Sequence, residues 1–366
     1  MAVPFLAACG VQVSPETAPP GNRGFSGVIV SDEPRATLAG RDMMLAGGNA
    51  ADAAAAVGLS LSVTLPSRAG LGGGGVCTVY DPKARKTEVL DFNQNTPRAF
   101  AALLARYGAR GWSNAVASAE TLARFGFPVS KTLAADLAAH GSVLMGDQAA
   151  LTAFMDRRRQ FVGAGVEVRL PLMAETLQTL RTQSAGSIGT AAPAWRAAVQ
   201  ADHAGVALDG AGEPENASVA ADAATIFAVG DKNGMAVACV MSMGAPFGTG
   251  RTGPGTGYLL AEARPLTMLP VIGFDAPRTT VVFIGAAHGP AAKALVEKTV
   301  SAWVVDNVAY DDVRAAVQGL SPNGENGAMT AAVCRDGLSI LGLGCRTLAD
   351  PKGSGLGLTF GPDTPR

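Results

Sequence analysis

The chain has 366 residues, 48% of them apolar, and its mean hydropathy is +0.22. Its 29 Lys and Arg residues nearly balance its 30 Asp and Glu residues. This balance excludes the strong positive field with which proteins attract nucleic acid or anionic lipid, so no nucleic-acid partner is expected. No uninterrupted apolar stretch approaches the roughly 18 residues of a transmembrane helix. The length is sufficient for a sizeable core.

Residues 1–24 are interpreted as a leader and linker. Leu6-Ala7-Ala8-Cys9 has the form of a bacterial lipoprotein cleavage box, and residues 11–20 after it are rich in Pro, Ser and Thr. Only eight residues precede Cys9 and none is basic, so the signal peptide is incomplete. Two interpretations stay open. Either the true start lies upstream and a lipidated Cys9 tethers the protein to a membrane in the periplasm or cell envelope, or the match is accidental.

The first third of the chain predicts two helices between strands. The predicted elements are a strand at 28–31, helices at 34–45 and 50–63, and strands at 76–80 and 87–90. Four glycines, Gly72 to Gly75, lead into a strand rather than into a helix, which is the reverse of a phosphate-binding loop. We therefore expect these glycines to let the main chain approach another backbone closely, and we expect no nucleotide.

The rest of the chain changes from helical to strand character. Residues from about 98 to 200 show helical, Ala-rich periodicity, and residues 205–218 are interpreted as a linker. The elements predicted after the linker are strands 225–229 and 235–243, strand 279–284, helix 291–305 and a hairpin of 329–334 with 338–343. Strands, a helical block and further strands favour an α/β (α+β) fold in which two sheets lie between helices.

Four further cysteines are spaced unlike any zinc site, and no metal is expected. Cys77 and Cys239 lie in apolar runs and are predicted to be core residues. Cys334 and Cys345 flank an Asp-Gly turn, and they are predicted either to pair in an oxidising compartment or to be buried free thiols.

Several sequence blocks together resemble the gamma-glutamyltransferase family. The blocks are Gly47–Ala54 (GGNAADAA), Pro66–Gly75 (PSRAGLGGGG), Phe227–Ala238, Phe247–Gly250, Arg264–Pro270 and Ala349–Leu356. The resemblance covers roughly residues 27–100 and 220–360, and the middle is shorter than the usual large subunit of the family. It implies the four-layer αββα sandwich of N-terminal-nucleophile hydrolases and no metal or organic cofactor. It also implies a large-subunit-like region, 25–224, intertwined with a small-subunit-like region, 225–366.

Members of the family cleave their own chain before a threonine, whose hydroxyl becomes the nucleophile. The resemblance places that residue seven positions before Asp231, where this chain has Ala224, and Thr225 follows one residue later. Thr225 becomes the nucleophile if a bulge compensates for the shift, with cleavage between Ala224 and Thr225 into 224 and 142 residues. Otherwise the nucleophile is lost and Thr225 is an ordinary strand residue.

The same resemblance implies roles for five other residues. Ser242 matches the hydroxyl residue that orients the nucleophile, and Thr267 matches a serine that holds the substrate carboxylate. Asn93 occupies the place of an arginine that pairs with the substrate α-carboxylate. Residues 285–289 resemble the loop that forms the oxyanion hole, with His288 and Gly289 in the place of two glycines.

Three further positions depart from the residues that recognise glutamate in the family, namely Gly244, Ala263 and Leu266. Two functions follow as hypotheses. The first is a self-processing amidohydrolase or acyl transferase of glutathione metabolism, acting on a small amide or γ-glutamyl-like substrate without strict γ-glutamyl specificity. The second is a non-catalytic envelope protein for binding or scaffolding. The sequence gives no oligomeric state.

Overall fold

The computed structural model describes residues 25–187, 191–212, 223–262, 267–322, 326–338, 345–351 and 353–361. Cys9 and the rest of the expected leader lie outside these ranges, as do Ala263 and Leu266. Among the described residues, no helix is both long and apolar enough to cross a membrane.

Two antiparallel sheets form the centre of the molecule. The first has seven strands in the order β15-β1-β9-β10-β2-β3-β6. Its strands are β1 (Gly27–Ser31), β2 (Gly74–Asp81), β3 (Lys86–Phe92), β6 (Ala194–Ala197), β9 (Ala224–Asp231), β10 (Ala236–Ser242) and β15 (Leu356–Phe360). The second has six strands in the order β14-β13-β12-β11-β8-β7. Its strands are β7 (Val199–His203), β8 (Val206–Gly210), β11 (Met268–Phe274), β12 (Val281–His288), β13 (Ala328–Cys334) and β14 (Cys345–Leu348).

Helices cover the outer face of each sheet. Those on the side of the first sheet are α1 (Pro34–Leu45), α2 (Ala50–Thr64), α3 (Thr96–Tyr107), α4 (Trp112–Phe125), α5 (Lys131–His140), α6 (Gln148–Phe154) and α7 (Pro171–Thr182). A two-stranded ribbon, β4 (Phe127–Pro128) with β5 (Glu167–Val168), lies among them. The second sheet is covered by α8 (Ala292–Thr299), which continues into a π-helical turn, Val300–Val305, and by α9 (Tyr310–Leu320).

Three apolar clusters correspond to the three interfaces between these layers. One lies between the first sheet and its helices, one between the two sheets, and one between the second sheet and α8 and α9. This is the αββα four-layer sandwich, and the predicted fold class is confirmed.

The helix α2 lies in the middle of the first cluster, and all of its residues are buried. A helix that is apolar on every side requires such a position. Its N-terminus has a capping box of Asn49 and Asp52, in which each side chain accepts a backbone N–H of the other residue. Asp231 at the end of β9 also accepts the Ala50 N–H at 2.9 Å. The turn of the β9–β10 hairpin thereby fixes the start of α2.

The glycine run allows β2 to lie directly against its neighbours, as the sequence predicted. A Cβ atom on Gly75 would lie 2.4 Å from the Val240 carbonyl oxygen, and one on Gly73 would lie 2.9 Å from that of Ser242. Gly74 pairs with Ser242 in the β2–β10 ladder. No larger residue fits these positions without moving the backbone.

The cysteines add disulfides to the predicted core. Cys77 and Cys239 are buried in the core, as predicted, and they also lie directly opposite each other on β2 and β10 and form a disulfide, which was not expected. Apolar periodicity reveals that a residue is buried but not which residue lies across the ladder. Cys334 and Cys345 also form a disulfide, which resolves the alternative left open for that pair.

Several short strands differ from the expected elements. The predicted helical region ends before residue 194, where β6 and then β7 carry the chain from the first sheet to the second. The predicted linker contains β8, and only its residues 205–212 are described. The strand β11 was not expected. The second strand of the expected last hairpin falls largely outside the described residues, and β14 pairs with β13 in its place.

Candidate active site

Thr225 and Ala224 lie at the start of β9 with their side chains on opposite faces of the first sheet. Ala224 belongs to the cluster between the two sheets, together with Ile226 and Ala228. The alternating residue Phe227 packs beneath the helices, so strand geometry places Thr225 on that helix-facing side. Both residues are completely buried.

The β9–β10 ladder contains no bulge at this point. Ala224 is opposite Ser242, Thr225 is opposite Met241, and the pairing continues without a shift to the turn. A one-residue displacement of the nucleophile requires a bulge to return its hydroxyl to the cleft face. The Thr225 hydroxyl instead donates to Asp32 Oδ2 at 2.9 Å.

Asp32 is the centre of a buried polar network that joins the two sheets. Its Oδ2 also accepts the Ile226 N–H at 3.0 Å, and its Oδ1 accepts the hydroxyl of Thr330 on β13 at 3.2 Å. Burial, with a smaller effect of the nearby Asp350 carboxylate, raises the pKa of Asp32 to about 6, against the lowering effect of the hydrogen bonds from Ile226 and Thr225. A carboxyl that binds both sheets in this way holds the start of β9 in place.

Arg68, from the block before the glycine run, lies close to this network. It forms a two-point ion pair with Asp136, with Nε and Nη2 at 2.8 and 2.9 Å from the carboxylate oxygens. Its charge also acts on Asp32, whose pKa it lowers, and on His288. The sequence analysis gave no role to Asp32, Arg68 or Thr330. The position of Asp32, a charged residue between strand β1 and helix α1, was the sequence feature that could have indicated a role for it.

Ser242 makes contacts other than those expected of a residue that orients Thr225. Its hydroxyl donates to the carbonyl oxygen of Ala223 at 2.9 Å and accepts the Gly244 N–H at 2.9 Å. The Met243 N–H also donates to the Ala223 carbonyl, at 3.1 Å. Two donors therefore polarise the carbonyl that precedes Ala224, rather than the one that precedes Thr225.

His288 and Gly289 form the end of a strand and a turn, not an open loop. Residues 281–288 are strand β12, and Gly289 follows with φ of +88°, which a residue with a Cβ adopts only with strain. The Gly289 N–H donates to the Thr267 carbonyl at 3.1 Å. The expected oxyanion loop is thus corrected, because the Gly289 amide already has an acceptor within the protein.

The His288 ring is buried, and neither of its nitrogens has a hydrogen-bond partner among the described residues. Burial, together with a smaller effect of the Arg68 charge, lowers the pKa of His288 to about 3. The ring is therefore neutral at neutral pH. The hydroxyl of Thr267, whose backbone bonds Gly289, is likewise buried without a partner in the described part of the chain.

Asn93, the expected ligand of a substrate carboxylate, follows β3 and is exposed. Its Cα lies next to Gly74, at 3.4 Å from the place a Cβ of that glycine would occupy. The structure thus brings Asn93 next to the glycine run, whereas Ser242, Ala224 and His288 are buried. Among the described residues, no group of three or more His, Cys, Asp or Glu side chains is arranged to hold a metal ion.

The comparisons with known proteins agree with this architecture. A family model described as gamma-glutamyltranspeptidase matches residues 36–102 and 96–210. The glutathione hydrolase proenzyme of Bacillus subtilis (strain 168) is 40% identical over 74 residues, covering 20% of this chain and 13% of that protein. The glutathione hydrolase proenzyme of Escherichia coli (strain K12) is 31% identical over 156 residues, covering 34% of this chain and 27% of that protein. The chain thus spans less than a third of the length of these relatives.

A solved structure extends the similarity of fold to nearly the whole chain. The cephalosporin acylase from Bacillus halodurans superposes with a TM-score of 0.72 at 14% identity, over 92% of this chain and 96% of that one. Family model, relatives and fold agree with the blocks found in the sequence. The chain is thus similar to the gamma-glutamyltranspeptidase family over residues 36–210, just under half of its length, and it shares the fold of the cephalosporin acylase.

Proposed function

We propose that this chain is a non-catalytic member of its family that stays uncleaved and serves as a binding protein of the cell envelope. The observation that carries the proposal is the unbroken β9–β10 register. It leaves a methyl group, that of Ala224, at the position implied for the nucleophile. The Thr225 hydroxyl, one residue later, is engaged with Asp32.

The surroundings support the same proposal. Catalysis by acyl transfer needs free amides aimed at the developing oxyanion, and the Gly289 amide is bonded to Thr267. Asn93 offers neither the charge nor the paired donors with which arginine holds a carboxylate. The glutathione hydrolases that this chain resembles act on glutathione according to their names, and we propose that this chain releases no glutamate from it.

The two disulfides support a location outside the reducing cytoplasm, because such bonds persist in oxidising compartments. A lipid anchor on Cys9 remains a separate proposal. Metabolic labelling with radioactive palmitate in a bacterial host tests it. Label on the wild type and none on Cys9→Ser supports the anchor, and equal labelling of both contradicts it.

Intact-mass spectrometry of the purified protein tests the absence of self-processing. The sample must be reduced first, because the disulfide of Cys77 and Cys239 would hold together the two pieces of a chain cut near residue 224. The wild type is measured beside Thr225→Ala and beside Ser118→Ala, which is a substitution distant from β9.

A single mass for each of the three reduced samples, without a break after residue 224, is the expected result. Fragments of 224 and 142 residues in the wild type and in Ser118→Ala, absent from Thr225→Ala, would instead establish Thr225 as a self-processing nucleophile. Glutamate release from glutathione that is lost in Thr225→Ala would equally reject the proposal.

A further inference from the structure

A cavity of about 430 Å³ lies on the helical side of the molecule. It is formed by the end of α2 with residues 66, 69 and 70 after it, by α6, by residue 169 and the first turn of α7, and by residues 252 and 257–259. Its volume falls within the range of about 300–1,000 Å³ found for small-molecule sites. None of Ala224, Ser242, His288 or Asn93 is among its described lining residues.

The inner wall of this cavity is apolar and well supported. Phe154, Leu170, Met173 and Leu259 contribute to it and are buried. The loop at 252–257 is held against α7 because the Thr176 hydroxyl donates to the carbonyl at residue 256 at 2.7 Å. Because these contacts fix the wall, the cavity is preformed and stays open to an apolar group before the ligand binds.

One charged side chain lines the described part of this cavity, and it is positive. Arg169 is the only charged residue among the described lining residues, and its ion pair with Glu167, at 3.3 Å, is exposed on both sides. An exposed pair of this kind contributes little, so a second carboxylate can share the guanidinium. The helix α7 begins next to Arg169, and its N-cap residue is Leu170. The Leu170 side chain has no atom that can accept a hydrogen bond from the first N–H groups of the helix, whose positive end therefore adds to the charge of Arg169.

We infer that this cavity binds an aliphatic carboxylic acid of medium chain length, with the chain inside and the carboxylate at Arg169. This inference rests on the proposed binding role and gives that role a site and a ligand class. Ligand binding to the cavity does not depend on whether the chain is cleaved. Mass spectrometry can therefore reject the uncleaved state without rejecting the cavity, and a binding experiment can reject the cavity without rejecting the uncleaved state. Leu172, 41% exposed at the rim, marks the opening through which the chain enters.

Isothermal titration of the full chain with hexanoate, octanoate, decanoate, dodecanoate and hexadecanoate tests the cavity. Each added methylene should raise the affinity about fourfold until the cavity is filled, after which the affinity should level off. A continuous rise to hexadecanoate, or no saturable binding of any acid, would overturn the inference, because adsorption to surface patches has no such limit.

Variants test where the ligand lies. Ala153→Phe, which fills the cavity from α6, should weaken decanoate binding about tenfold or more, and Ala135→Phe on the exposed side of α5 should not. Arg169→Gln leaves the apolar wall unchanged and should weaken decanoate binding about three- to tenfold, whereas Arg157→Gln, at an exposed position, should leave decanoate binding unchanged. Equal effects of the two substitutions within either pair would overturn the proposed position.

The charge of the ligand is tested with decyltrimethylammonium, a cation of similar chain length. Binding of decanoate in clear preference to this cation supports the carboxylate class. Equal binding of both, unchanged by Arg169→Gln, would overturn it.

Discussion

Asp32 offers the sharpest test of the energetics at the start of β9. The substitution Asp32→Asn replaces a buried carboxyl by an amide of nearly the same shape. The amide oxygen can accept the Thr225 hydroxyl and the Ile226 N–H, as Oδ2 does now. The amide nitrogen can donate to the Thr330 hydroxyl in the place of Oδ1. The charge is thus removed while the hydrogen bonds are kept.

The magnitude follows from the shift in the pKa of Asp32, from 3.8 to about 6. Burial is its main cause, so the folded state binds the proton more tightly than the unfolded state. Stability is therefore lost as the pH rises through the interval between these two values, and the loss is complete above the upper one. At about 1.36 kcal/mol for each pKa unit, the folded protein loses about 3 kcal/mol between acid and neutral pH.

Urea unfolding at about pH 4 and about pH 7.5 measures this difference. We expect Asp32→Asn and wild type to have similar free energies of unfolding at the lower pH. At the higher pH the free energy of unfolding of the variant should exceed that of wild type by up to about 3 kcal/mol. The full value is reached when the amide forms all the hydrogen bonds that the carboxyl forms. Asp42→Asn, on an exposed carboxylate of α1, is the matched control.

The reasoning is refuted if the difference between Asp32→Asn and wild type is the same at both pH values. A variant that is less stable than wild type only at neutral pH would also refute it. Either result would mean that the hydrogen bonds and Arg68 keep Asp32 ionised at no net cost in stability.

Three further predictions concern the cleavage position and the cysteines. Ala224→Thr should restore cleavage ahead of position 224, seen as fragments of 223 and 143 residues after reduction, because two donors already polarise the preceding carbonyl. Adding Ser242→Ala should slow this cleavage about 10²–10³-fold. An Ala224→Thr protein that folds but stays uncut would contradict the prediction. The double variant Cys77→Ala, Cys239→Ala should lose about 2–4 kcal/mol of unfolding free energy, and an unchanged urea midpoint would show that the bridge does not form. In denatured, unreduced protein a thiol reagent should detect Cys9 alone or no thiol, and two or more reactive thiols would contradict the pairing of the other four cysteines.

The local elements that carry the family resemblance were predictable from the sequence. The alanine-rich run at residues 50–63 predicts α2, and two apolar runs on either side of a short turn predict the β9–β10 hairpin. Such signals lie within a few residues of one another and depend on local sequence alone. The strand β11 was missed because its pattern is weak beside those of its neighbours and tertiary packing stabilises it.

What the sequence by itself determined is the set of helices and strands around the family blocks, and hence the four-layer fold. Only the tertiary structure decided the faces on which Ala224 and Thr225 lie, because a shift of one residue in a strand reverses its side chains. It likewise decided the pairing of Cys77 with Cys239 and the network of Asp32 with Thr330, partners 162 and 298 residues apart. Contacts over such distances arise from sheet register and layer packing, which local sequence patterns do not encode.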